Sequence, residues 1–347
     1  MEQTQPPKKK KRYWNLIFLA LMIGATIYLV FRDHSLQDVW ESIISVNPFW
    51  FGMAALASLF STFLLGLALY VSFRKLCPGT VSLKKSVAYA LVGSYYSAIT
   101  PSSTGGQPMQ VYHMCADGIN ASYVSLTMLL VNIAYQLVVL LIPAGLCIFR
   151  FRLVFDNVSS FRWLLFFGVF VSITWILFLC FAMFNSAFAK RLSYGIVNLL
   201  AKIRIVKRKE KVLSAVDSYL STYRDGSHVL LQNPKVLALV FLIYVLQMCA
   251  LFSIPYFIYR AYDLSQYGLI DILALQSALY IAVCFLPLPG AAGATESAFL
   301  TLYRVVFPAA NIVSVMLLSR LVSFYLILLI SGVVSMVMQF RLGRRKT

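Results

Sequence analysis

The sequence predicts an all-α polytopic membrane protein, with about six full transmembrane helices and two re-entrant helical hairpins. The chain of 347 residues is 60% hydrophobic and only 12% charged, which is about half the charged fraction of a soluble globular protein. Several apolar runs reach the roughly 20 residues that a helix needs to cross a bilayer. Two further apolar stretches are interrupted by short runs of Pro, Gly, Ser and Thr, which predict broken helices at membrane depth.

Six apolar runs are long enough to be full spans. The first is too long for the apolar part of a signal peptide and lacks a cleavage site after it, so we expect it to stay in the protein. We expect residues 13–340 to form a single integral membrane domain between two basic tails, 1–12 and 341–347. The predicted spans lie near Tyr13–Phe31, Pro48–Phe73, Ala121–Phe149, Trp163–Phe184, Val236–Tyr259 and Asn311–Phe340.

The basic residues predict the orientation of the chain. The net charge is +18, and a basic block at Lys8–Arg12 favours a cytoplasmic N-terminus. Counting spans from there places 23 of the 30 Lys and Arg residues in cytoplasmic segments and six in outer segments, with Arg320 inside a span. We therefore expect both termini to be cytoplasmic in the cell membrane. The positive charge is expected to face anionic lipid headgroups rather than nucleic acid.

The charge distribution also predicts how the two interrupted segments enter the membrane. It is consistent only if segment 86–115 enters from the cytoplasm and returns there, while segment 267–307 does the same from outside. Opposite entry directions predict two halves of inverted topology, a common transporter design. No clear residue-level repeat relates the two halves, so this prediction depends on topology alone.

The loop at 185–235 is the only sizeable region that we expect outside the membrane. It carries apolar residues at helical spacing among Lys and Arg, a pattern of amphipathic helices that lie on the inner leaflet. A solvated helical hairpin is an equally good interpretation. At roughly 50 residues the loop is small for a catalytic domain.

The first interruption, Thr100–Pro108, holds two prolines, two adjacent glycines and four hydroxyl residues. Its glycines allow close backbone approach, and Pro108 fits the first turn of an outgoing half-helix. The free N–H groups at the start of that half-helix would bind an anion, such as a lipid phosphate. The alternative is an ordinary loop packed between helices. The candidate binding residues here are Thr104, Gly105, Gly106, Gln107 and Gln110.

The second interruption, Leu286–Glu296, predicts a second half-helix. We expect Thr295 to cap it, with Glu296 in its first turn. Arg320 lies about nine residues into the last span, close to the bilayer midplane, where a charge is a functional hypothesis by default. Glu296 and Arg320 are expected partners. The pair is either purely structural, or Arg320 receives a lipid phosphate and Glu296 a proton or a cationic headgroup. Further candidate binding residues here are Gly290 and Gly293.

Other polar residues within apolar runs are expected to have structural roles. Asp271 fits the N-terminal turn of a helix, where the helix dipole favours an acid. Asn132, Gln136, Gln247 and Gln276 are expected to connect neighbouring helices, and the alternative is that they line a cavity.

Catalytic chemistry is poorly supported by the sequence. The three histidines form no recognisable arrangement with a Cys, Ser or acid, and the chain has no P-loop. The six cysteines are scattered, without the spacing of a metal site or a disulfide framework. We therefore expect no catalytic residue, no metal site and no cofactor.

The two interruptions carry a family resemblance. The run Pro101–Gln110 and the run Pro289–Glu296, followed by Arg320 in the next span, resemble two signatures of the lysylphosphatidylglycerol synthase transmembrane family. The resemblance covers about residues 13–340. It implies that Gly105, Gly106, Glu296 and Arg320 are site residues. The chain departs from the pattern at Gln107 and Gln110, where many members have a Glu and an Arg, so the headgroup is expected to differ.

The resemblance implies a lipid flippase. The family includes the flippase half of the multiple peptide resistance factor, which moves aminoacylated phosphatidylglycerol to the outer leaflet, and stand-alone proteins presumed to translocate lipids or glycolipids. Because the chain stops at Thr347, we expect the soluble synthase domain and its aminoacyl transfer to be missing. The alternatives are the membrane part of a phosphatidylglycerol lysyltransferase-type enzyme and an ion-coupled carrier of a small solute. Expected partners are anionic phospholipids or glycolipids, further copies of the chain and a separate lipid-modifying enzyme.

Overall fold

The computed structural model describes residues 44–76, 81–157, 162–184, 186–202 and 232–344, with isolated residues before and between these ranges. Throughout these ranges the chain is helical or turns between helices, and they contain no strand. This confirms the predicted all-α fold. The expected first span, Tyr13–Phe31, and the basic tail before it lie outside the described residues.

The helices with defined bounds are numbered here in chain order. A π-helical turn, Leu321–Tyr325, joins the last two. The helices are α1 (Pro48–Leu76), α2 (Leu83–Ile99), α3 (Gly106–Ala116), α4 (Ala121–Phe149), α5 (Phe151–Asn157), α6 (Arg162–Phe184), α7 (Ser186–Lys202), α8 (Pro234–Phe252), α9 (Ile254–Ala261), α10 (Leu269–Val283), α11 (Ala294–Leu302), α12 (Ile312–Arg320) and α13 (Leu326–Arg344).

Four helical stretches in the described ranges are long and apolar enough to cross a membrane: Pro48–Lys75, Tyr123–Phe149, Pro234–Ala261 and Ile312–Leu342. Helices α5 and α6 meet at 120° and would make a fifth span if counted together. The predicted count of six is therefore not confirmed. Large apolar side chains stand exposed on several of these helices, as lipid-facing side chains do, among them Phe60, Phe170, Leu242, Leu329 and Phe340.

The two interrupted segments each form a helical hairpin. In the first hairpin (α2–α3, residues 83–116), α3 runs back along α2. Gln110 lies directly over Gly93, and the Tyr89 hydroxyl donates a hydrogen bond of 2.7 Å to Asp117 just beyond α3. In the second hairpin (α10–α11, residues 269–302), the Tyr303 hydroxyl donates to Gln276 Oε1 at 3.0 Å. The first hairpin extends three residues before and one residue after the expected segment 86–115, and the second lies within the expected segment 267–307.

The hairpins are enclosed by the long apolar helices. The first packs between α1 and α13, and α10 of the second packs against α4 and α6. The approach of α6 to α10 is very close, because a Cβ at Gly168 would lie 1.9 Å from the carbonyl oxygen of Ile281. Small residues at such crossings let helix backbones approach and gain packing energy, which is the main attraction available between apolar helices.

Predicted polar links between helices are confirmed. Gln247 Nε2 donates to Ser61 Oγ at 2.9 Å and ties α8 to α1. Gln107 Nε2 donates to Asn132 Oδ1 at 3.3 Å and ties α3 to α4. Asp271 holds the start of α10, since its Oδ2 accepts the Gly268 N–H at 2.9 Å and its Oδ1 lies 2.7 Å from Arg150 Nε.

The described part of the loop 185–235 is helical. Asp217 receives a contact of 2.8 Å from Lys190 Nζ and a hydrogen bond from the Tyr194 hydroxyl, which join α7 to the segment around 217. These hydrogen bonds, that from Lys190 first, hold the pKa of the Asp217 carboxyl below its usual value.

The helix crossing at Gly168 gives a test of the fold. Gly168→Ala places a methyl group against backbone that cannot move without shifting α10, so we expect a loss of about 1–3 kcal/mol of unfolding free energy. Gly145→Ala is the matched control, because its Cβ would meet nothing within 4 Å. It should leave stability unchanged or raise it by up to about 1 kcal/mol. Thermal unfolding in detergent measures both, and equal behaviour of the two variants would contradict this packing.

Candidate functional site

The tips of the two hairpins meet. The first tip, Pro101–Ser103, and the second tip, Pro289–Ala291, are both 3₁₀ turns that begin with proline. They pack directly against each other, and Ser102 Oγ lies 3.5 Å from the carbonyl oxygen of Leu286. The structure thus brings the two predicted halves of the site to one place.

The two tips have the same backbone conformation. Each is preceded by an extended residue, Thr100 at φ −117° and Leu288 at φ −115°. In each tip the two residues after the proline are left-handed, with φ between 49° and 58°. The backbone hydrogen bonds also correspond, since in each tip the fourth residue of the run and the residue after it donate to the carbonyl three positions back. The equivalent positions are Thr100 and Leu288, Pro101 and Pro289, Ser102 and Gly290, and Ser103 and Ala291.

Three of these left-handed positions are occupied by residues other than glycine: Ser102, Ser103 and Ala291. A side chain at such φ values is uncommon and costs free energy, and such strain concentrates at functional sites. The repeat between the halves, absent from the residue identities, is therefore present in the backbone of the tips.

A buried ion pair lies behind the second tip. Arg320 Nε is 2.7 Å from Glu296 Oε1, and the two side chains are only 11% and 7% exposed. The second carboxylate oxygen accepts the Gly293 N–H at 2.6 Å. Arg320 Nη2 donates to the Gly290 carbonyl at 3.2 Å. The predicted partnership of Glu296 and Arg320 is confirmed, and the pair connects the tip, the start of α11 and the end of α12.

The guanidinium also lies over an aromatic ring. Arg320 Cζ is 4.6 Å from the centre of the Phe324 ring, within the range of a cation–π contact. The π-helical turn places this ring, and Ser58 of α1 anchors the turn by donating to the Val322 carbonyl at 2.8 Å. The same ring covers Gly290, where a Cβ would lie 2.4 Å from Phe324 Cε2 and where φ is +58°. Space therefore requires glycine at 290, and the left-handed φ also favours it.

The prediction that Thr295 caps α11 is wrong. The helix starts two residues earlier than that prediction required, at Ala294, and its N-cap is Gly293. Thr295 is thus inside the first turn, and its hydroxyl donates instead to the Ala291 carbonyl at 3.0 Å. Glu296 is the third helical residue, from which an acid can reach back to the N-cap N–H. The capping partner is therefore Glu296 itself.

A cavity of about 360 Å³ opens where the two tips, the ion pair and α12–α13 meet. Its volume is within the range of small-molecule sites. Of the residues predicted as binders, four line it: Gly290, Thr295, Glu296 and Arg320. Gly293 is not part of the lining, but its N–H donates to the carboxylate of Glu296, which is. The polar lining is completed by Ser94, Ser97, Ser102, Ser103, Gln276, Tyr280, Ser319 and Ser323.

The candidates from the first hairpin are placed differently, within the hairpin itself and outside the cavity lining. The Gly105 N–H donates to Thr100 Oγ1 at 2.9 Å, and the Thr104 hydroxyl donates to the Pro101 carbonyl at 2.9 Å. A Cβ at Gly106 would lie 2.0 Å from Ser97 Oγ. Gln107 bonds Asn132, and Gln110 lies on Gly93. These residues shape the first hairpin and the position of its tip.

The family model for the lysylphosphatidylglycerol synthase TM region matches residues 15–331. The chain belongs to this family. The match confirms the predicted family and agrees with a lipid-related membrane protein of helical fold. No curated protein matches the chain at a significant level.

Sequence reasoning missed several cavity residues of this family member. Ser319 and Ser323 are four residues apart, so their side chains lie on one face of the helix, and Arg320 lies between them in the sequence. That spacing was a usable signal. Gln276 was assigned to helix contacts, and it does accept a hydrogen bond from Tyr303, yet it also lines the cavity. Its position there depends on how α10 is rotated, which periodicity in an almost wholly buried helix does not reveal.

The ion pair gives a second test. Glu296→Ala leaves the Arg320 guanidinium buried without its carboxylate and the Gly293 N–H without its acceptor. We expect it to cost about 3–5 kcal/mol of unfolding free energy, the usual effect of breaking a buried pair from one side. The double variant Glu296→Gln with Arg320→Gln buries no charge and should cost clearly less. Thermal unfolding of both in the same detergent measures the difference, and a double variant as unstable as Glu296→Ala would contradict this account.

Proposed function

We propose that this protein translocates a membrane lipid, with the headgroup crossing in the cavity between the two hairpin tips while the acyl chains stay in the surrounding bilayer. The observation that carries the proposal is the meeting of two tips of identical backbone conformation at a cavity that holds a buried ion pair. Paired broken helices of this kind form the substrate sites of many transporters. Family membership supports a lipid as the substrate.

The first hairpin opens toward the cytoplasm and the second toward the outside in this proposal. The bias of Lys and Arg toward one set of segments supports it. With opposite entry directions, tips that meet form the barrier between the two sides. A headgroup that reaches the cavity from either side is then separated from the other side by one tip only. Displacement of one tip relative to the other would alternate the access.

Arg320 receives the phosphate of the headgroup. Its described contacts use Nε and Nη2, and Arg carries five N–H donors, so Nη1 remains for a ligand. An anion near the guanidinium would share the positive charge that Glu296 now neutralises. The pair therefore gives a site that is electrically balanced when empty and that still attracts a phosphate as it enters.

Translocation in liposomes tests the proposal. The double variant Glu296→Gln with Arg320→Gln removes the charged donor without leaving a buried charge unpaired. The assay follows the exchange of fluorescent phosphatidylglycerol between the two leaflets, by bleaching the outer leaflet with impermeant dithionite. We expect the rate of this exchange to fall about ten- to hundredfold, because a hydrogen bond to a charged group is lost. The matched control is Arg150→Gln with Asp271→Asn, an ion pair of the same length outside the cavity. Unchanged exchange in the first variant, or equal loss in both, would contradict the role of the pair.

Cysteine labelling tests the opposite entry of the hairpins. On a background without native cysteines, Ala116→Cys at the end of the first hairpin should react with an impermeant maleimide only from the cytoplasmic face. Gln266→Cys, just before the second hairpin, should react only from outside. Leu141→Cys, on the exposed apolar side of α4, should react from neither face. Labelling of the first two variants from the same face would rule out opposite entry.

A further inference from the structure

The polar surface of the cavity consists mainly of hydroxyl groups. Six serines and Thr295 line it, together with Gln276 and Tyr280. The only charged side chains in the lining are Glu296 and Arg320, which neutralise each other. The electrostatic character of the wall is therefore that of a neutral polar surface with a single anion-attracting point at Arg320.

Most of these hydroxyls offer lone pairs to the cavity, because their protons are already used. Ser94 donates to the Ala90 carbonyl at 3.1 Å, Thr295 to the Ala291 carbonyl at 3.0 Å and Ser323 to the Ser319 carbonyl at 2.7 Å. A hydroxyl that donates its one proton keeps its acceptor capacity. A ligand that matches this wall must supply donors.

Two further groups lack described partners. Ser319 Oγ is buried without a hydrogen bond, in a residue that is only 6% exposed, and it lines the cavity beside Arg320. Gln276 accepts from Tyr303 through Oε1, while its Nε2 makes no described hydrogen bond. Because Ser319 Oγ is buried, leaving it without a partner is costly, and a ligand hydroxyl in the cavity would satisfy it. Ser319 can both donate and accept, which suits another hydroxyl group.

A cationic headgroup would also supply donors, but the cavity cannot balance its charge. Both oxygens of Glu296 are occupied, one by Arg320 and one by the Gly293 N–H. Among the described residues that line the cavity, Glu296 is the one acid. Burying an ammonium group without a free carboxylate is strongly unfavourable. The hydroxyl groups of a polyol, in contrast, match the lone pairs of the wall without bringing charge.

We infer that the hydroxyl groups of the cavity bind an uncharged polyol at the end of the headgroup, either the glycerol of a phosphatidylglycerol or a sugar ring, in preference to an aminoacylated cationic end. The inference rests on the proposed translocase function and adds the substrate class. Arg320 holds a phosphate where the lipid has one, and the hydroxyl wall recognises the polyol beyond it. Two sources share this chemistry, a phosphatidylglycerol and a neutral glycosyl lipid.

Parallel exchange assays in liposomes, one for each lipid, test the preference. The full-length protein is reconstituted with labelled phosphatidylglycerol, monoglucosyl diacylglycerol or lysyl-phosphatidylglycerol, and exchange across the bilayer is measured for each. We expect at least one polyol lipid to move about tenfold faster than the lysyl form, because only the lysyl form must bury an unpaired cation. Movement of the glucosyl lipid alone identifies a glycolipid as the substrate, and movement of phosphatidylglycerol alone identifies the phospholipid as the substrate. Equal or faster movement of the lysyl form overturns the inference.

Native mass spectrometry of the same protein with the same three lipids separates this inference from the proposed function. Preferential binding of a polyol lipid without exchange of any lipid would refute translocation and retain the site. Binding without preference, or preference for the lysyl lipid, would refute the polyol site whether or not exchange occurs.

Serine variants test the wall directly. Ser319→Ala removes a hydroxyl without a described partner, so it should not lower the unfolding temperature, yet it should slow exchange of the polyol lipid several-fold. The matched control is Ser72→Ala in α1, a buried serine that donates to its own helix at 2.7 Å, as Ser323 does, but outside the cavity lining. It should leave exchange unchanged. Normal exchange in both Ser319→Ala and Ser323→Ala would refute recognition by the hydroxyl wall.

Discussion

The ion pair between Glu296 and Arg320 is the interaction on which the second half of the structure depends. Removing two charges from water is costly, and their attraction compensates only if the remaining donors and acceptors are also satisfied. Here they are: the carboxylate caps α11 through Gly293, and the guanidinium holds the Gly290 carbonyl and lies over Phe324. One pair thus sets the distance between the second tip, α11 and α12. The shape of the cavity follows from that distance.

The tips face a related constraint, because backbone groups in apolar surroundings must find partners inside the protein. Each tip meets it with a proline, which has no N–H to satisfy, and with two left-handed residues that turn the chain within hydrogen-bonding reach of itself. Neighbours take two further carbonyls, that of Gly290 by Arg320 and that of Leu286, just before the second tip, by Ser102. The two tips therefore satisfy each other as well as themselves. A movement that separates them needs other partners, and the hydroxyl groups of a ligand in the cavity would provide them.

The cavity combines these features into a site with little net charge. Its ion pair is internally balanced, and its other polar groups are hydroxyls and an amide. Such a wall can release a headgroup as readily as it binds one, since no strong uncompensated charge holds the ligand. A translocase needs this property, because a site that binds too tightly on one side does not deliver to the other.

The sequence by itself determined that the chain is helical and contains membrane-spanning helices, that two apolar stretches are interrupted, and that Glu296 and Arg320 are partners. These features follow from local composition, from helix periodicity and from the cost of a lone charge in an apolar run. Tertiary structure decided the rest. The start of α11 at Ala294 gave the capping role to Glu296 instead of Thr295. Packing of α3 on α2 turned Gly105, Gly106 and Gln110 toward the hairpin interior, while Gln107 reaches Asn132 on α4. The equivalence of the tips was hidden because Ser-Ser and Gly-Ala share backbone angles, not identities. Which helix faces meet at the cavity depends on contacts between residues far apart in the chain, and local sequence patterns do not predict such contacts.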